Sequence, residues 1–390
     1  MTKEIYLDNS ATTPLSDAAK RAMTEAMDCF GNPSSLHPRG QEAHTLLERA
    51  RKQVAETLGM RGTPDPRRLI FTSCGSEADN LAILGTAYAK PRRRGGRIIT
   101  TDSEHAAVEK TMQALEQDGF EVVRIPTRSG RLDLDAFRKA LNHRVFLISM
   151  MMVNNETGAL YDVAQAFALA KAQDPAIVTH TDAVQGYLKC RFTPQAIGAD
   201  LVTVSAHKIH GPKGVGALYV SAEALKRRDF VPCLLGGGQE SGFRSGTENV
   251  IGIAGFGAAA EEGYAALGTE LSRLSALRAY AIERLSALPV TLNLPTGKCA
   301  PHVINLTLPD IKSETMLHAL SADGICVSNG SACSSHSHDV SSSLIAFGLS
   351  AAQAECSIRI SLGRQNTEED VDRLVDALAT RIPTLVKIHR

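Results

Sequence analysis

Between about residues 40 and 260 the chain alternates short apolar, β-branched runs with longer amphipathic segments in which apolar residues recur at helical spacing. Short runs of this kind suit strands, and the intervening segments are long enough to be crossover helices. The runs at Leu69–Thr72, Arg97–Thr101, Glu121–Pro126, Val145–Met150, Ile177–Thr181, Leu201–Val204 and Val215–Val220 predict an α/β fold built on a mostly parallel seven-stranded sheet with helices on both faces. After Gly236-Gly237-Gly238 an Ala-rich helical stretch begins near Val250 and runs toward Leu277, and then the pattern changes. Strands expected at Val290–Leu294, His302–Leu308 and Ile358–Leu362, mixed with helices, predict a smaller α+β unit. The expected division is a large domain over residues 15–260 and a small domain formed by residues 1–14 and 261–390.

Ligands in open α/β sheets bind beyond the carboxyl ends of the strands, so the residues that follow each run are where chemistry should collect. They are polar and reactive: Ser73-Cys74-Gly75-Ser76-Glu77, Glu104-His105, Asn154-Asn155-Glu156, Asp182-Ala183-Val184-Gln185 and His207-Lys208. Lys208 ends an apolar strand beside Ser205 and His207 and precedes the turn Gly211-Pro212. A lysine held still and partly desolvated is a Schiff-base nucleophile toward a carbonyl cofactor, whereas a lone lysine after a strand is ordinarily a surface residue.

Composition narrows the field. Lys plus Arg and Asp plus Glu number 42 each, so no global field favours nucleic acid or an anionic membrane, and a small substrate is expected. The basic run Pro91-Arg92-Arg93-Arg94 reads as a solvated loop. No segment has the length and apolarity of a signal peptide or a membrane span, which predicts a cytoplasmic protein. Its eight cysteines form no Cys-x-x-Cys pair, which argues against a zinc knuckle or a disulfide framework, and no metal site is expected.

One of those cysteines, Cys333, stands in the small, polar run Ser328-Asn329-Gly330-Ser331-Ala332-Cys333-Ser334-Ser335. A structural cysteine prefers apolar neighbours, while a reactive one needs exposure, and this setting is of the second kind. The run Ser73–Asn80 reads as strand, tight turn and helix start, either a phosphate site made of free N–H groups and the Ser76 hydroxyl or an ordinary N-cap. Asp182 either pairs with a protonated pyridine nitrogen or caps a helix from Ala183, and Gln185 stands where it can bond a phenolic oxygen. The His105 imidazole can stack on a flat ring and move protons near neutral pH. Arg359, among apolar neighbours in Ser357–Leu362, needs an anionic partner, either a substrate carboxylate or an internal Asp or Glu.

With these residues in view the chain resembles the NifS/IscS-type cysteine desulfurases, members of the class-V aminotransferase family with the fold type I architecture of pyridoxal-phosphate enzymes. The resemblance spans nearly the whole length. It rests on Leu7-Asp8-Asn9-Ser10-Ala11-Thr12-Thr13-Pro14, Gly31-Asn32-Pro33-Ser34-Ser35, Asn154-Asn155-Glu156-Thr157-Gly158, Ser205-Ala206-His207-Lys208, Gly236-Gly237-Gly238-Gln239-Glu240, Arg244-Ser245-Gly246-Thr247 and Gly330-Ser331-Ala332-Cys333. It implies pyridoxal 5'-phosphate as cofactor, with Lys208 as its Schiff-base residue, Asp182 on the pyridine nitrogen, Gln185 on the phenolic oxygen and His105 over the ring. Gly75, Ser76, Ser205 and His207 would hold the phosphate, and Thr247 would reach into a neighbouring subunit's site, making the enzyme a homodimer. Asn155 and Arg359 would bind the carboxylate of L-cysteine. Cys333 would take its sulfur as a persulfide for an acceptor protein, such as an iron–sulfur scaffold or a tRNA-thiolation enzyme, releasing alanine.

The chain departs from the family's usual pattern where Ser76 stands in place of Thr in the phosphate turn, and where His336 and His338 follow Cys333. The second difference bears on the choice of acceptor. Rival readings are a selenocysteine lyase or related aminotransferase, which need not depend on Cys333, and a non-catalytic scaffold that retains the fold.

Overall fold

Seven apolar runs pair into one sheet in the computed structural model, which describes residues 4–62, 64–329 and 340–385. The strands in chain order are β1 (Ile5–Tyr6), β2 (Leu69–Thr72), β3 (Arg97–Thr101), β4 (Glu121–Ile125), β5 (Val145–Ser149) and β6 (Val178–Asp182). They continue as β7 (Leu201–Ser205), β8 (Gly216–Val220), β9 (Thr291–Leu292), β10 (Val303–Thr307), β11 (Ile325–Cys326) and β12 (Ser357–Ser361). The large sheet has the order β2-β8-β7-β6-β5-β3-β4, and only β8 runs against its neighbours.

Period-two alternation explains how that sheet is buried on both sides. Ile70, Ile98, Leu147 and Leu201 pack with Ala78, Leu81, Val108 and Met112 of the helices Gly75–Tyr88 and Ala106–Gln117. The alternate residues Phe71, Ile99, Ile148 and Val202 pack on the other face with Val54 and Phe256. Both faces are thus closed by helices, and the polar strand ends are left at the carboxyl edge.

The last third of the chain, with Ile5 and Leu7 from its start, builds a second core. Here β10 pairs antiparallel with β9 and β12, while β1 lies parallel to β11, so the start of the chain sits with its C-terminal elements. Ile5, Leu7, Ile304, Leu306, Ile358, Ile360 and Leu374 form this core. The 36-residue helix Val250–Leu285 serves both, with Phe256 and Ala259 against the large sheet and Leu277 and Leu285 in the second core. It starts where the Asn249 side chain accepts from the Gly252 N–H at 3.1 Å, and it runs eight residues beyond the Leu277 expected from sequence. Among the described residues no helix is long and apolar enough to cross a membrane.

Candidate active site

The carboxyl ends of β2, β3, β5, β6 and β7 open on a single cavity of about 160 Å³, lined among others by Gly75, Ser76, His105, Asn155, Asp182, Gln185, Ser205, His207, Lys208 and Arg359. Of the side chains singled out from the sequence, Thr247 alone among the described residues lies elsewhere. It is exposed, beside a separate hollow walled by Glu240 and Arg244. Glu240 fixes its segment against β2, taking a two-pronged ion pair from Arg51 at 2.8 Å and the Phe71 N–H at 2.8 Å. Cys333, and with it His336 and His338, falls outside the described residues.

Strand β7 delivers Lys208 through the single turn Ala206–Lys208. The Lys208 ammonium donates to the carbonyls of Ser10 at 2.5 Å and Ala11 at 2.7 Å. Those carbonyls are present because residues 10–13 are fastened to the same turn. The Thr13 N–H and hydroxyl both bond the His207 carbonyl, at 3.0 and 2.9 Å, and the His210 N–H returns to the Thr13 hydroxyl at 2.7 Å. Ser10 and Ala11 are site residues that periodicity could not reveal, since only tertiary pairing brings them to Lys208.

The helix Gly75–Tyr88 begins at this cavity without a side-chain cap, because Cys74 occupies the N-cap position in extended conformation and makes no capping bond. Its first N–H groups therefore face the cavity at the positive end of the helix dipole. A Cβ on Gly75 would lie 2.9 Å from the Val184 side chain that follows β6, so a side chain here would force Val184 to shift, while the Ser205 Cβ at the end of β7 would stand at an ordinary contact distance of 3.5 Å. The Ser205 hydroxyl at this junction is buried with no hydrogen-bond partner among the described residues. His207 shares a hydrogen bond of 3.2 Å with the Thr12 hydroxyl, and burial, reinforced by Lys208, Lys189 and Lys213, brings its imidazole down to about 3. It is a neutral ring at physiological pH. Uncapped N–H groups with an orphaned hydroxyl make a seat for a dianionic phosphate.

Across the cavity, Asp182 is buried and accepts the Val184 N–H at 2.9 Å. No helix starts at Ala183, where the chain forms turns instead. Burial raises the proton affinity of Asp182, opposed by His105 and Lys208. Asp79 lies deeper and is pushed up further by burial and by Asp182, with the His180 ring 3.7 Å from its Oδ1, which accepts no hydrogen bond among the described residues. His180, brought by burial to about 3, is neutral and bonded to Ser149 at 2.8 Å and Thr203 at 3.0 Å. A carboxylate placed like Asp182 is stabilised by a cationic ring nitrogen above it.

His105 begins the helix Ala106–Gln117 as its N-cap, with Nδ1 accepting from the Ala107 N–H at 3.1 Å. When neutral it therefore carries its proton on Nε2. Glu104, which sequence reasoning noted only as a neighbour of His105, anchors this corner. It accepts the Thr101 hydroxyl at 2.6 Å and the Met151 N–H at 2.9 Å, tying the end of β3 to the end of β5, and burial pushes its carboxyl up to about 8. A carboxylate three residues beyond the end of an apolar strand was the available signal. Arg359 of β12 is buried in the wall, with its Nη1 donating to the Asn155 carbonyl at 3.0 Å and its Nη2 to Asp8. The internal partner weighed from sequence is thus present, and it is an aspartate at the start of the chain.

The comparisons with known proteins agree with this architecture. The family described as aminotransferase class-V matches residues 5–374. The chain is 40% identical over 389 residues to the cysteine desulfurase IscS of Dictyoglomus turgidum, covering 99% of this chain and 96% of that protein. A solved NifS-like protein superposes with a TM-score of 0.90 at 34% identity, over 98% of this chain and 100% of the other. A structure of SspA in complex with cysteine superposes with a TM-score of 0.77 at 32% identity, over 92% of this chain and 99% of the other. A cavity with a presented lysine, a phosphate seat and a buried aspartate fits pyridoxal 5'-phosphate, and the chain belongs to the class-V aminotransferases that use this cofactor, in their cysteine desulfurase branch.

Proposed function

We propose that the chain is a cysteine desulfurase that converts L-cysteine to L-alanine and carries the sulfur on Cys333 to an acceptor. The observation that carries this reading is the convergence of Lys208, Asp182 and the uncapped helix start at Gly75 on one cavity, in a chain 40% identical to a protein named cysteine desulfurase. When bound, pyridoxal phosphate supplies an electrophilic carbonyl and a sink for the electron pair left at the substrate's α-carbon. Gly75, Ser76, Ser205 and His207 would hold its phosphate, Asp182 its pyridine nitrogen and Gln185 its phenolic oxygen, with His105 against the ring. Thr247, from the segment fixed by Glu240, would complete the site of a second copy in a homodimer.

Arg359 and Asn155 would orient the amino acid by its carboxylate, and cysteine as that amino acid is supported by the solved complex of the related SspA with cysteine. Lys208 accepts the α-proton, its amine steadied by the Ser10 and Ala11 carbonyls. Cys333, as a thiolate, then bonds to the substrate sulfur while the carbon–sulfur bond breaks toward carbon. The β-carbon takes up a proton and alanine leaves, so Cys333 retains a persulfide. The acceptor we assign to it is an iron–sulfur assembly scaffold or a tRNA-thiolation enzyme in the cytoplasm; relatives named cysteine desulfurase IscS support the transfer of sulfur to an acceptor.

The test is mass spectrometry of the holoenzyme after incubation with L-cysteine. One added sulfur on the peptide containing Cys333, lost in Lys208→Ala, is the expected result. Alanine release at full rate from Cys333→Ala would overturn the proposal.

A further inference from the structure

A second, smaller cavity of about 50 Å³ lies behind Lys208, which lines both spaces. His302 and Lys189 line the rear one, and Gln185 stands in the wall of the front one. The Gln185 carboxamide is held from both ends. Its Nε2 donates forward to the Ser10 carbonyl at 2.9 Å, the same oxygen that receives the Lys208 ammonium. Its Oε1 is approached from behind by His302 Nε2 at 3.3 Å and by Lys189 Nζ at 3.4 Å.

Donor and acceptor logic allows only one orientation here. The Ser10 carbonyl only accepts, so turning the amide over would set oxygen against oxygen at the forward end, while the ammonium form of Lys189, which has donors alone, favours the same orientation at the rear. His302 must then carry its proton on Nε2, which agrees with its Nδ1 being buried without a partner among the described residues. Burial, with Lys189, Arg359, Arg278 and Lys208 around it, keeps that ring neutral. Desolvation, with Lys208 and Arg359 nearby and Cys190 opposing, brings Lys189 down to about 7, and either of its protonation states donates.

We propose that His302 and Lys189 are positioning residues that lock the Gln185 carboxamide with its N–H edge toward the cavity, where it donates to the phenolic oxygen of the cofactor. This rests on the assignment of pyridoxal phosphate to the front cavity. Each rear contact is long for a hydrogen bond, so neither alone is decisive and the two act together. A donor at that oxygen favours the deprotonated state of the cofactor's linkage to Lys208, so a freed amide leaves that linkage more basic.

The measurement is the pH midpoint of the cofactor's visible absorption in the holoenzyme. His302→Leu combined with Lys189→Met is expected to raise the midpoint by about one unit, the worth of one hydrogen bond. His302→Gln, which retains a donor, is expected to restore most of the wild-type value. Gln185→Leu should show the same rise, and adding the two rear substitutions to it should move the midpoint no further. An unmoved midpoint in the rear double variant, or a further shift in the Gln185→Leu background, overturns the proposal. Should the double variant not retain cofactor, the two single variants, each expected to shift by roughly half as much, decide through the same cycle. Failure of the underlying cofactor assignment is distinct, since it would leave the unsubstituted protein without a visible band.

Discussion

Arg359 and Asp8 form an ion pair of 2.8 Å between residues 351 apart in the chain, and it closes one wall of the cavity from the second core. The guanidinium is almost fully enclosed at 1% exposure, whereas the carboxylate keeps 18%. The Asn155 carbonyl takes Nη1, and Nε has no partner among the described residues. The group assigned to the substrate carboxylate is therefore oriented before substrate arrives, which reduces the ordering cost of binding.

Arg359→Lys retains the charge and loses the fork. It is expected to lower kcat/KM for L-cysteine by about 10- to 100-fold, mostly through KM, as the loss of a charged hydrogen bond dictates. Arg359→Ala should also lower the melting temperature by leaving Asp8 without its partner. Adding Asp8→Asn should restore part of that stability and none of the affinity. Steady-state kinetics beside thermal melts separate the two effects, and an unchanged KM in Arg359→Lys would remove Arg359 from substrate binding.

Ser205→Ala is expected to act with opposite sign on the cofactor-free and cofactor-loaded protein. Its hydroxyl is buried with no partner among the described residues, so in the cofactor-free chain its removal relieves a desolvation cost and should raise the melting temperature by roughly 1–2 °C. In the loaded protein the same change removes a donor to phosphate and should weaken pyridoxal phosphate binding about tenfold or more. Equal stabilisation of both forms would mean that the hydroxyl never meets the phosphate.

The strands of the large sheet were legible from sequence to within one residue at each end because strands buried on both faces leave short apolar runs, and the half-buried edge strand β4 still carries Val122, Val123 and Ile125. Strands β1 and β11, two residues each, carry no such signal and exist only as partners of one another. The polar residues at the strand ends were legible for the same topological reason that ligands bind there. Ser10 and Asp8 were visible only as part of a motif. Their place depends on the fastening of Thr13 to His207, a contact across 194 residues that no local pattern encodes. Glu104 was passed over because an acid beside a histidine looks like an ordinary helix start, and its meaning comes from the Met151 N–H on another strand.

Glu104 also predicts how stability depends on pH. Burial raises its carboxyl from an unfolded value near 4.5 to about 8 in the folded chain, only partly offset by its bonds to Thr101 and Met151. The folded state therefore binds this proton more tightly than the unfolded state. The associated stability is complete below the unfolded value and is lost as pH rises through about 8. Asp79 and Asp182, both raised, act in the same direction. The cofactor-free protein should thus melt at a lower temperature at pH 9 than at pH 6, and Glu104→Gln, which mimics the protonated acid in shape and charge, should flatten that slope. An unaltered slope in Glu104→Gln would show that the carboxyl is already ionised in the folded chain.

Thr247 and Lys208 give a test of the dimeric site. Thr247 is exposed and borders a different hollow from the cavity of Lys208, on a segment held rigid by the buried Arg51–Glu240 pair. If it serves the cofactor of a second copy, Thr247→Ala and Lys208→Ala injure different halves of one composite site. Lys208→Ala should be inactive, and Thr247→Ala should bind pyridoxal phosphate about tenfold more weakly through the loss of one hydrogen bond to a charged group. At a cofactor concentration that saturates only the unsubstituted enzyme, co-refolding the two variants in equal amounts makes half of the dimers hybrid. Each hybrid holds one intact site, built from the Lys208 of one chain and the Thr247 of the other, so roughly a quarter of the unsubstituted activity should return. A mixture no more active than the sum of its parts would mean that each chain completes its own site, and that the exposure of Thr247 reflects a solvent-facing loop.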